Sequence, residues 1–567
     1  SDGVPFQWND LSAAQKDDLR TSPSAGVDTD TVAEAKVDYL RGDRADEGTG
    51  NFFRERLSLL SDLVNSGPVF VGAPALNWPD TAPFPTATGD RYSDFKNGAA
   101  AARAGMVYAG SNGGMMHGFA EADGDEKLAY IASNLFSTNP GEGLHYLTEQ
   151  NYVHKYYNDL TPTVSDVYAD LGSGTQWQTV LISGQRGGGR GIFALDVTDP
   201  ANFSEANAGK IALWEFTNSD DPDLGYTYSR PQIGMTNDGS WVAIFGNGYN
   251  DTGDGEAKLF IVDIAKGADG AWSGGDYIEI TTNSGSPGDR NGLATPALAD
   301  LDGNGTIDRV YAGDLKGQMW AFDLSSTSSA SWGIPGTAPL FTTKDDLPIT
   351  SKPALAKHPT VSDDGSNAPN VMVYFGSGQY LVDADKTDTA DNYFYGVWDK
   401  GDDDLDDGEL VEQTYDTNYS ERVLTRNPVD YTGGADYGWF FELPDSGERS
   451  VTNPVIRGSL VFFNSFAPET DPCSVGGYGY RFAVNLVDGG SPEEVAVDTN
   501  LDGIIDDNDK ANDGSGNTET IAAIRQEGFL PEPVFIEDIA YTAEKPSKVA
   551  ELPIPPTGRF GWQELLQ

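Results

Sequence analysis

The stretch that decides the predicted fold of this chain is Thr295-Pro-Ala-Leu-Ala-Asp300-Leu-Asp302-Gly-Asn304-Gly305-Thr306-Ile-Asp308-Arg-Val-Tyr-Ala-Gly313. Its two apolar ends have the composition of short strands, and a loop rich in Asp, Asn and Gly joins them. Oxygen-bearing side chains recur along this loop, and Gly305 holds the sixth position, where a calcium loop of the EF-hand type needs its sharp turn. An EF-hand would carry an acid at position twelve and a helix on each side, whereas Tyr311 stands there. The stretch therefore predicts a cation loop between two strands.

The predicted ion is Ca²⁺, which prefers six to eight oxygen ligands. The alternative is a turn in which Asp, Asn and Gly satisfy only their own backbone. The metal is favoured because acids crowded into nine residues would repel one another without a counter-charge. The predicted ligands are the side chains of Asp300, Asp302, Asn304 and Asp308 and the carbonyl of Thr306.

A second stretch, from Asp498 to Asp509, also has the spacing of a calcium loop and predicts a second site. Asp509 at position twelve reaches less far than the usual Glu, so weaker or water-mediated binding is expected there. A solvated acidic turn is the alternative. The residues at the ligand positions are Asp498, Asn500, Asp502, Ile504 (through its carbonyl), Asp506 and Asp509.

A proline before an apolar segment recurs along the chain, and each copy is followed by strand patterns separated by Gly-rich turns. Repeated groups of short strands are typical of propeller blades, here enlarged by insertions around residues 73–100, 131–160, 401–437 and 487–528. The predicted class is all-β, a seven-bladed propeller over residues 61–545 with a C-terminal tail over 546–567. The seven predicted blade starts are Pro68, Pro162, Pro231, Pro296, Pro353, Pro454 and Pro533.

The first 60 residues are predicted to form a short helical connector or lid. Ser12 to Gln15 and Thr31 to Glu34 both fit a capping box ahead of apolar positions. The same segment contains Arg41-Gly42-Asp43, the tripeptide that integrins bind on exposed loops. A role in the local turn or in packing is the alternative for these three residues.

Composition narrows the classes of function. The 567 residues carry 36 Lys and Arg against 88 Asp and Glu, a formal net charge of −52, which disfavours binding to nucleic acid or to anionic lipid. The single cysteine, Cys473, excludes an internal disulfide and a C-x-x-C site. No run of eighteen apolar residues predicts a membrane span. A loop that depends on millimolar calcium favours an extracellular location.

Several blocks resemble the C-terminal propeller domain of PilY-type type IV pilus tip adhesins. They lie between about residues 39 and 540 and include residues 61–74, Tyr108 to Phe119, Gly188 to Thr198, Asp300 to Asp323 and residues 471–477. The resemblance implies a modified, quinoprotein-like propeller at the pilus tip or outer bacterial surface. It also implies that Ca²⁺ at Asp300, Asp302, Asn304, Thr306 and Asp308 governs pilus extension against retraction. The partners implied are minor pilins or the tip complex and a host-cell or abiotic surface ligand.

Catalysis is not expected from the sequence. Propeller dehydrogenases hold a quinone beside Ca²⁺, and a quinone-dependent dehydrogenase is therefore one alternative; a purely structural, calcium-stabilised binding propeller is another. The vicinal disulfide of such enzymes cannot form from one cysteine. The four histidines, His117, His145, His154 and His358, lie in separate segments without a nucleophile or metal-ligand spacing.

Overall fold

The computed structural model describes residues 3–22, 26–48, 50, 52–362, 368–432, 436–469, 476–500, 502, 504–536, 539–541 and 547–548. One compact unit ends at Gly292, and a second begins at Leu293. Each unit consists mainly of antiparallel sheets in which consecutive strands are neighbours. The all-β class is therefore confirmed.

The first unit contains three four-stranded sheets. The first sheet consists of β1 (Val69–Val71), β2 (Met106–Gly110), β3 (Met116–Ala120) and β4 (Glu126–Tyr130). The second consists of β5 (Thr163–Asp170), β6 (Thr175–Gly184), β7 (Gly191–Asp196) and β8 (Ala212–Thr217). The third consists of β9 (Gln232–Met235), β10 (Trp241–Gly246), β11 (Glu256–Asp263) and β12 (Tyr277–Gly285).

The second unit continues the pattern. Its first sheet consists of β13 (Ala297–Ala299), β14 (Arg309–Gly313), β15 (Gln318–Asp323) and β16 (Phe341–Thr342). The next has five strands in the order β17-β18-β19-β21-β20: β17 (Ala354–Lys357), β18 (Val371–Gly376), β19 (Tyr393–Asp399), β20 (Val411–Glu412) and β21 (Gly438–Glu442). Strand β20 comes from the predicted insertion and pairs parallel to β21.

The remaining strands form two larger sheets and a hairpin. One sheet has the order β22-β23-β24-β27, with β22 (Val455–Arg457), β23 (Leu460–Pro468), β24 (Gly477–Asn485) and β27 (Ala523–Glu527). Within the last predicted insertion, β25 (Ala511–Asn512) pairs with β26 (Thr518–Glu519). The final sheet has three strands, β28 (Val534–Ile536), β29 (Ile539–Tyr541) and β30 (Ser547–Lys548).

The predicted proline pattern is confirmed as a pattern of sheet starts. Each of the seven prolines stands immediately before the first strand of a sheet. Proline has no N–H to donate to a ladder, so it is tolerated at the start of an edge strand. The number of blades stays a prediction. The strands that follow these prolines are β1, β5, β9, β13, β17, β22 and β28.

Helices are short and few in the described residues. The α-helices are α1 (Ala13–Arg20), α2 (Asp30–Leu40), α3 (Tyr92–Lys96), α4 (Gly143–Tyr146) and α5 (Ala208–Ile211). The 3-10 turns are Ala99–Ala102, Ser133–Leu135, Arg186–Gly188, Pro200–Asn202, Glu205–Asn207, Lys266–Asp269, Ser329–Ser331, Lys344–Asp346, Asp383–Lys386, Asp407–Glu409 and Asp507–Asp509.

The N-terminal helices pack onto the first sheet. The capping box of α1 is formed as predicted, with Ser12 Oγ accepting from the Gln15 amide and Gln15 Oε1 accepting from the Ser12 amide. The predicted cap at Thr31 is wrong, because Thr29 caps α2 and Thr31 lies inside the helix. Thr29 supplies the same hydroxyl acceptor and lets Asp30 place its carboxylate in the first turn, where the helix dipole favours negative charge.

Burial explains why α1 and α2 are held in place. Leu19 and Val37 belong to the same buried cluster as Tyr108 of β2 and Leu144 of α4. The buried carboxylate of Asp18 accepts hydrogen bonds from the amides of Ser137, Leu144 and His145 at 2.6–3.0 Å. This carboxylate ties α1 to the start of α4.

Candidate metal centre

The loop of residues 300–308 connects β13 to β14. The ladder between these strands pairs Ala299 with Arg309, and the Asp308 amide donates to the Ala299 carbonyl at 2.9 Å. The first and last acids of the loop are therefore brought to the same end of the ladder. The strand pairing itself creates the juxtaposition that the sequence predicted.

The Asp300 carboxylate organises the first half of the loop. Its Oδ1 accepts from the Gly303 amide at 2.7 Å, and its Oδ2 accepts from the Gly305 amide at 2.8 Å. Gly303 and Gly305 have φ angles of 80° and 92°, a left-handed conformation that glycine adopts at little cost. Gly305, the predicted turn residue, and Gly303 thus wrap the backbone around one carboxylate.

The Asp308 carboxylate closes the loop from its other end. Its Oδ2 accepts from the Leu301 amide at 2.8 Å and from the Asp302 amide at 3.4 Å. In between, Asn304 Oδ1 accepts from the amide of the buried Thr306 at 2.7 Å. All five predicted ligand residues therefore lie in one compact loop.

The acids of this loop converge. Carboxylate oxygens of Asp300, Asp302 and Asp308 lie within 4.8 Å of one another. Asp300 and Asp308 are buried, and Asp302 is exposed. Burial, followed by the neighbouring charges of Asp308 and Asp302, raises the pKa of Asp300 to about 6, against the opposing hydrogen bonds from Gly305 and Gly303.

These residues fit a hard cation. Three carboxylates and a side-chain amide supply oxygen ligands, which are the ligands that Ca²⁺ prefers. The guanidinium of Arg309, directly after the loop, is directed to Asp399, where its Nη2 donates at 2.9 Å. A cation between the three acids would relieve their mutual repulsion.

A second group of three acids differs from the first because it surrounds a lysine ammonium group. Oxygens of Asp221, Asp223 and Glu279 also lie within 4.8 Å of one another. Here the ammonium group of Lys258, a residue that is only 4% exposed, forms ion pairs with Asp223 and Glu279 and also with Asp254. A lysine side chain already supplies positive charge to this cluster, so the 300–308 loop is the better metal candidate.

The 498–509 loop closes in the same way as the first loop. Asp509 Oδ1 accepts from the amides of Thr499 at 2.7 Å and Asn500 at 3.2 Å, the second and third loop positions. Asp498 Oδ1 accepts from the Asp502 amide at 3.2 Å. Leu501 and Gly503 lie outside the described residues.

The ligands predicted in this second loop are less well gathered. Ile504 is exposed, and its amide donates to Asp502 Oδ1 at 2.8 Å. Asp506 caps the 3-10 turn that ends at Asp509. Among the described residues, this loop supplies no group of three acids as close as that of the first loop. The second calcium site stays a prediction.

The tripeptide Arg41-Gly42-Asp43 follows α2. Arg41 Nη1 donates to Glu205 Oε1 at 2.7 Å and to the Phe6 carbonyl at 3.0 Å, so the guanidinium is already engaged. Asp43 Oδ1 accepts from the Ala45 amide at 2.8 Å. Receptor binding by this tripeptide stays a prediction and would require Arg41 to exchange these partners.

Sequence reasoning missed a contact of His117. Its Nε2 lies 2.9 Å from Ser111 Oγ, and its Nδ1 lies 2.5 Å from Glu126 Oε1. These residues belong to the turn after β2, to β3 and to the start of β4, and antiparallel pairing brings them together. Pairing the three strands before searching for partners of each histidine would have found the contact.

Three comparisons place the chain among known proteins. A family model described as the PilY1 beta-propeller domain matches residues 60–427. PilY1, a type IV pilus biogenesis factor of Pseudomonas aeruginosa strain PAK, is 33% identical over 569 residues, covering 91% of this chain and 45% of the relative. A PilY1 homolog of Xylella fastidiosa is 34% identical over 483 residues, covering 80% of this chain and 31% of the relative.

A solved structure supports the same fold. The crystal structure of the Pseudomonas aeruginosa PilY1 C-terminal domain matches with a TM-score of 0.66 and 28% identity, covering 85% of this chain and 99% of the other. The predicted β-propeller class is thereby confirmed. The chain spans less than half the length of the curated relatives described above.

Proposed function

Because this chain belongs to the PilY1 β-propeller family, we propose that it is a calcium-binding module of type IV pilus biogenesis. Calcium at the 300–308 loop regulates pilus extension against retraction and attachment to surfaces. The module acts outside the cell, at the pilus tip or on the bacterial surface, with minor pilins or the tip complex as partners. Its external ligand is a host-cell or abiotic surface.

The observation that carries the calcium proposal is the convergence of Asp300, Asp302 and Asp308 within 4.8 Å on a loop between two paired strands. The relatives are named as biogenesis factors, which supports a non-catalytic role for this loop. No helix in the described part of the chain is long and apolar enough to cross a membrane.

Calcium titration by calorimetry tests the binding step. We expect Asp300→Asn to weaken binding strongly, because it removes a charged ligand and keeps an acceptor for only one of the two loop amides, those of Gly303 and Gly305. The matched control is Asp170→Asn. Asp170 Oδ1 also accepts from two glycine amides, those of Gly172 and Gly174, in an exposed turn. Equal calcium affinity in both variants would contradict the assignment of the loop.

Piliation of a bacterium that carries the full-length protein tests the regulatory step. We expect Asp308→Ala to lose surface pili or twitching, because one charged ligand is gone. Asp308→Lys places an ammonium near the ion position and should partly reproduce the calcium-bound state. Normal piliation and twitching by an Asp308→Ala protein that no longer binds calcium would contradict the regulatory role. It would not contradict the assignment of the loop as a calcium site.

A further inference from the structure

Three side chains in and next to the first sheet form a hydrogen-bonded relay, Ser111-His117-Glu126, that has no role in the proposed pilus function. His117 on β3 lies between Ser111 Oγ, 2.9 Å from its Nε2, and Glu126 Oε1, 2.5 Å from its Nδ1. Ser111 and His117 are buried, whereas Glu126 reaches solvent. The order of groups is hydroxyl, imidazole, carboxylate.

This order fixes the proton positions. A carboxylate accepts only, so Nδ1 of the neutral imidazole carries the proton that faces Glu126. The unprotonated Nε2 then accepts from the Ser111 hydroxyl and can remove its proton when the oxygen attacks. A nucleophile, a base and a group that orients the base are the parts of a Ser-His-acid catalytic triad, which is recognised by geometry and not by fold.

The relay opens onto a large cleft. Ser111, His117 and Glu126 line a cavity of about 1060 Å³ in the first unit. Leu59 and Leu60, which are 55% and 39% exposed, line the same cavity. Exposed leucines at a cavity of this size suit an apolar ligand.

We propose that Ser111, His117 and Glu126 form an acyl-transfer site for esters with an apolar acyl group. Ser111 Oγ bonds to the ester carbonyl carbon while its proton passes to His117 Nε2. The bond from that carbon to the alkoxy oxygen then breaks, and the alcohol leaves with the proton from His117. Water, activated by the same nitrogen, hydrolyses the acyl-serine and restores the hydroxyl.

The geometry also predicts a slow reaction. The Gly113 amide donates to Ser111 Oγ itself at 3.3 Å, so it occupies a lone pair of the nucleophile and does not serve an oxyanion hole. One donor lost from an oxyanion hole costs about 100-fold or more in rate. The activity should therefore be detected most readily as covalent modification of Ser111.

The experiment treats the purified chain with an alkyl fluorophosphonate, whose phosphorus takes the serine oxygen and releases fluoride. Intact mass and peptide mapping should show one adduct on Ser111. Ser111→Ala should show none, and His117→Gln should label about 100-fold more slowly because the general base is lost. A p-nitrophenyl ester with a medium-length acyl chain should show the same ranking in its release of p-nitrophenol.

Two variants control for local damage. Ser93→Ala removes a hydroxyl of α3 that does not line the cavity, and His154→Gln removes an exposed histidine outside the cavity lining that pairs with Asp62. Both should label like the unaltered chain, and circular dichroism should show that all variants are folded. Absence of an adduct on the unaltered chain, or equal labelling of folded Ser111→Ala, would overturn the proposal. Neither outcome bears on calcium binding.

Discussion

Burial sets the protonation of single residues in this protein, and His358 is the clearest case. Its side chain is 5% exposed, and its Nδ1 accepts from the amides of Thr360 at 3.3 Å and Val361 at 3.0 Å. The rings of Trp398 and Tyr431 lie 4.5 and 4.3 Å from its own. Desolvation lowers the pKa of His358 from 6.5 to about 4, so the neutral ring is the folded form.

This shift predicts a loss of stability in mild acid. The unfolded chain binds the His358 proton below about pH 6.5, whereas the folded chain does so only near pH 4. The free energy of unfolding should therefore fall as the pH drops through this window, by up to about 3 kcal/mol from this group. His358→Asn keeps an acceptor near the Nδ1 position and should flatten this part of the curve. Denaturant unfolding from pH 7 to pH 4 measures both slopes, and identical slopes would refute the assignment.

Lys258 gives a second prediction for a single residue. Lys258→Met keeps most of the buried chain length but removes the charge that faces Asp223, Asp254 and Glu279. Asp223 and Glu279 are half-buried and Asp254 is exposed, so solvent screens part of the lost pairing, and the cost is about 1–3 kcal/mol. The free energy of unfolding should fall by this order, and added Ca²⁺ should restore part of it by entering the cluster. Lys127→Met, at an exposed pair with Asp125, is the control and should cost less than about 1 kcal/mol. A small loss in Lys258→Met would show that solvent screens these acids completely.

The sequence could predict that the acids of the 300–308 loop converge, because all the candidate ligands are local. Spacing along nine residues is enough to place Asp300 beside Asp308 once the two flanking strands pair. The relay of Ser111, His117 and Glu126 depends instead on the register of three strands. Neither spacing nor composition specifies which side chains meet across a ladder.

At the scale of elements, the two acidic loops close by a shared device. In each, the last carboxylate accepts from the amides of the second and third positions, as Asp308 does for Leu301 and Asp302 and Asp509 for Thr499 and Asn500. The first loop bridges two strands of one sheet, whereas the second lies in the insertion between β24 and β25. The second loop therefore has the backbone closure of the first without its strand support.

This comparison predicts two independent calcium-binding events. Calorimetry of the unaltered chain should resolve a tighter event at 300–308 and a weaker one at 498–509. Asp509→Asn should remove only the weaker event, since it neutralises position twelve but keeps an acceptor for the Thr499 amide. Asp300→Asn should remove only the tighter one. A single event that Asp300→Asn abolishes would show that the second loop is an acidic turn.

Element boundaries were predictable where a residue cannot take part in a ladder. Every proposed proline stands directly before a first strand, because its missing N–H is harmless there. The start of α2 was misplaced by two residues, since Thr29 and Thr31 offer the same capping hydroxyl. With Thr29 as the cap, Asp30 falls inside the first turn of the helix, where the helix dipole favours its negative charge.

At the scale of the whole molecule, the net charge of −52 gives every cation some stabilising effect. Screening by an ionic atmosphere lowers the repulsion among the acids whether or not a site exists. A specific effect of calcium must therefore be separated from a general effect of divalent ions. Mg²⁺ at equal ionic strength provides that comparison, because its smaller, rigid shell suits this loop less well.

We expect calcium to stabilise the fold without being required for it. The loop adds local order to sheets whose cores are built from buried apolar side chains, such as Tyr311 and Val310 beside it. At a hundredfold excess over Kd, binding at one site should add about 2.7 kcal/mol to the free energy of unfolding. Asp308→Asn should lose this increment, whereas its melting in chelator should match that of the unaltered chain. Scanning calorimetry in chelator, Mg²⁺ and Ca²⁺ measures all three states, with Asp170→Asn as the control. Unfolding of the unaltered chain by chelator at room temperature would show instead that the ion is structural, and that its proposed regulatory role is wrong.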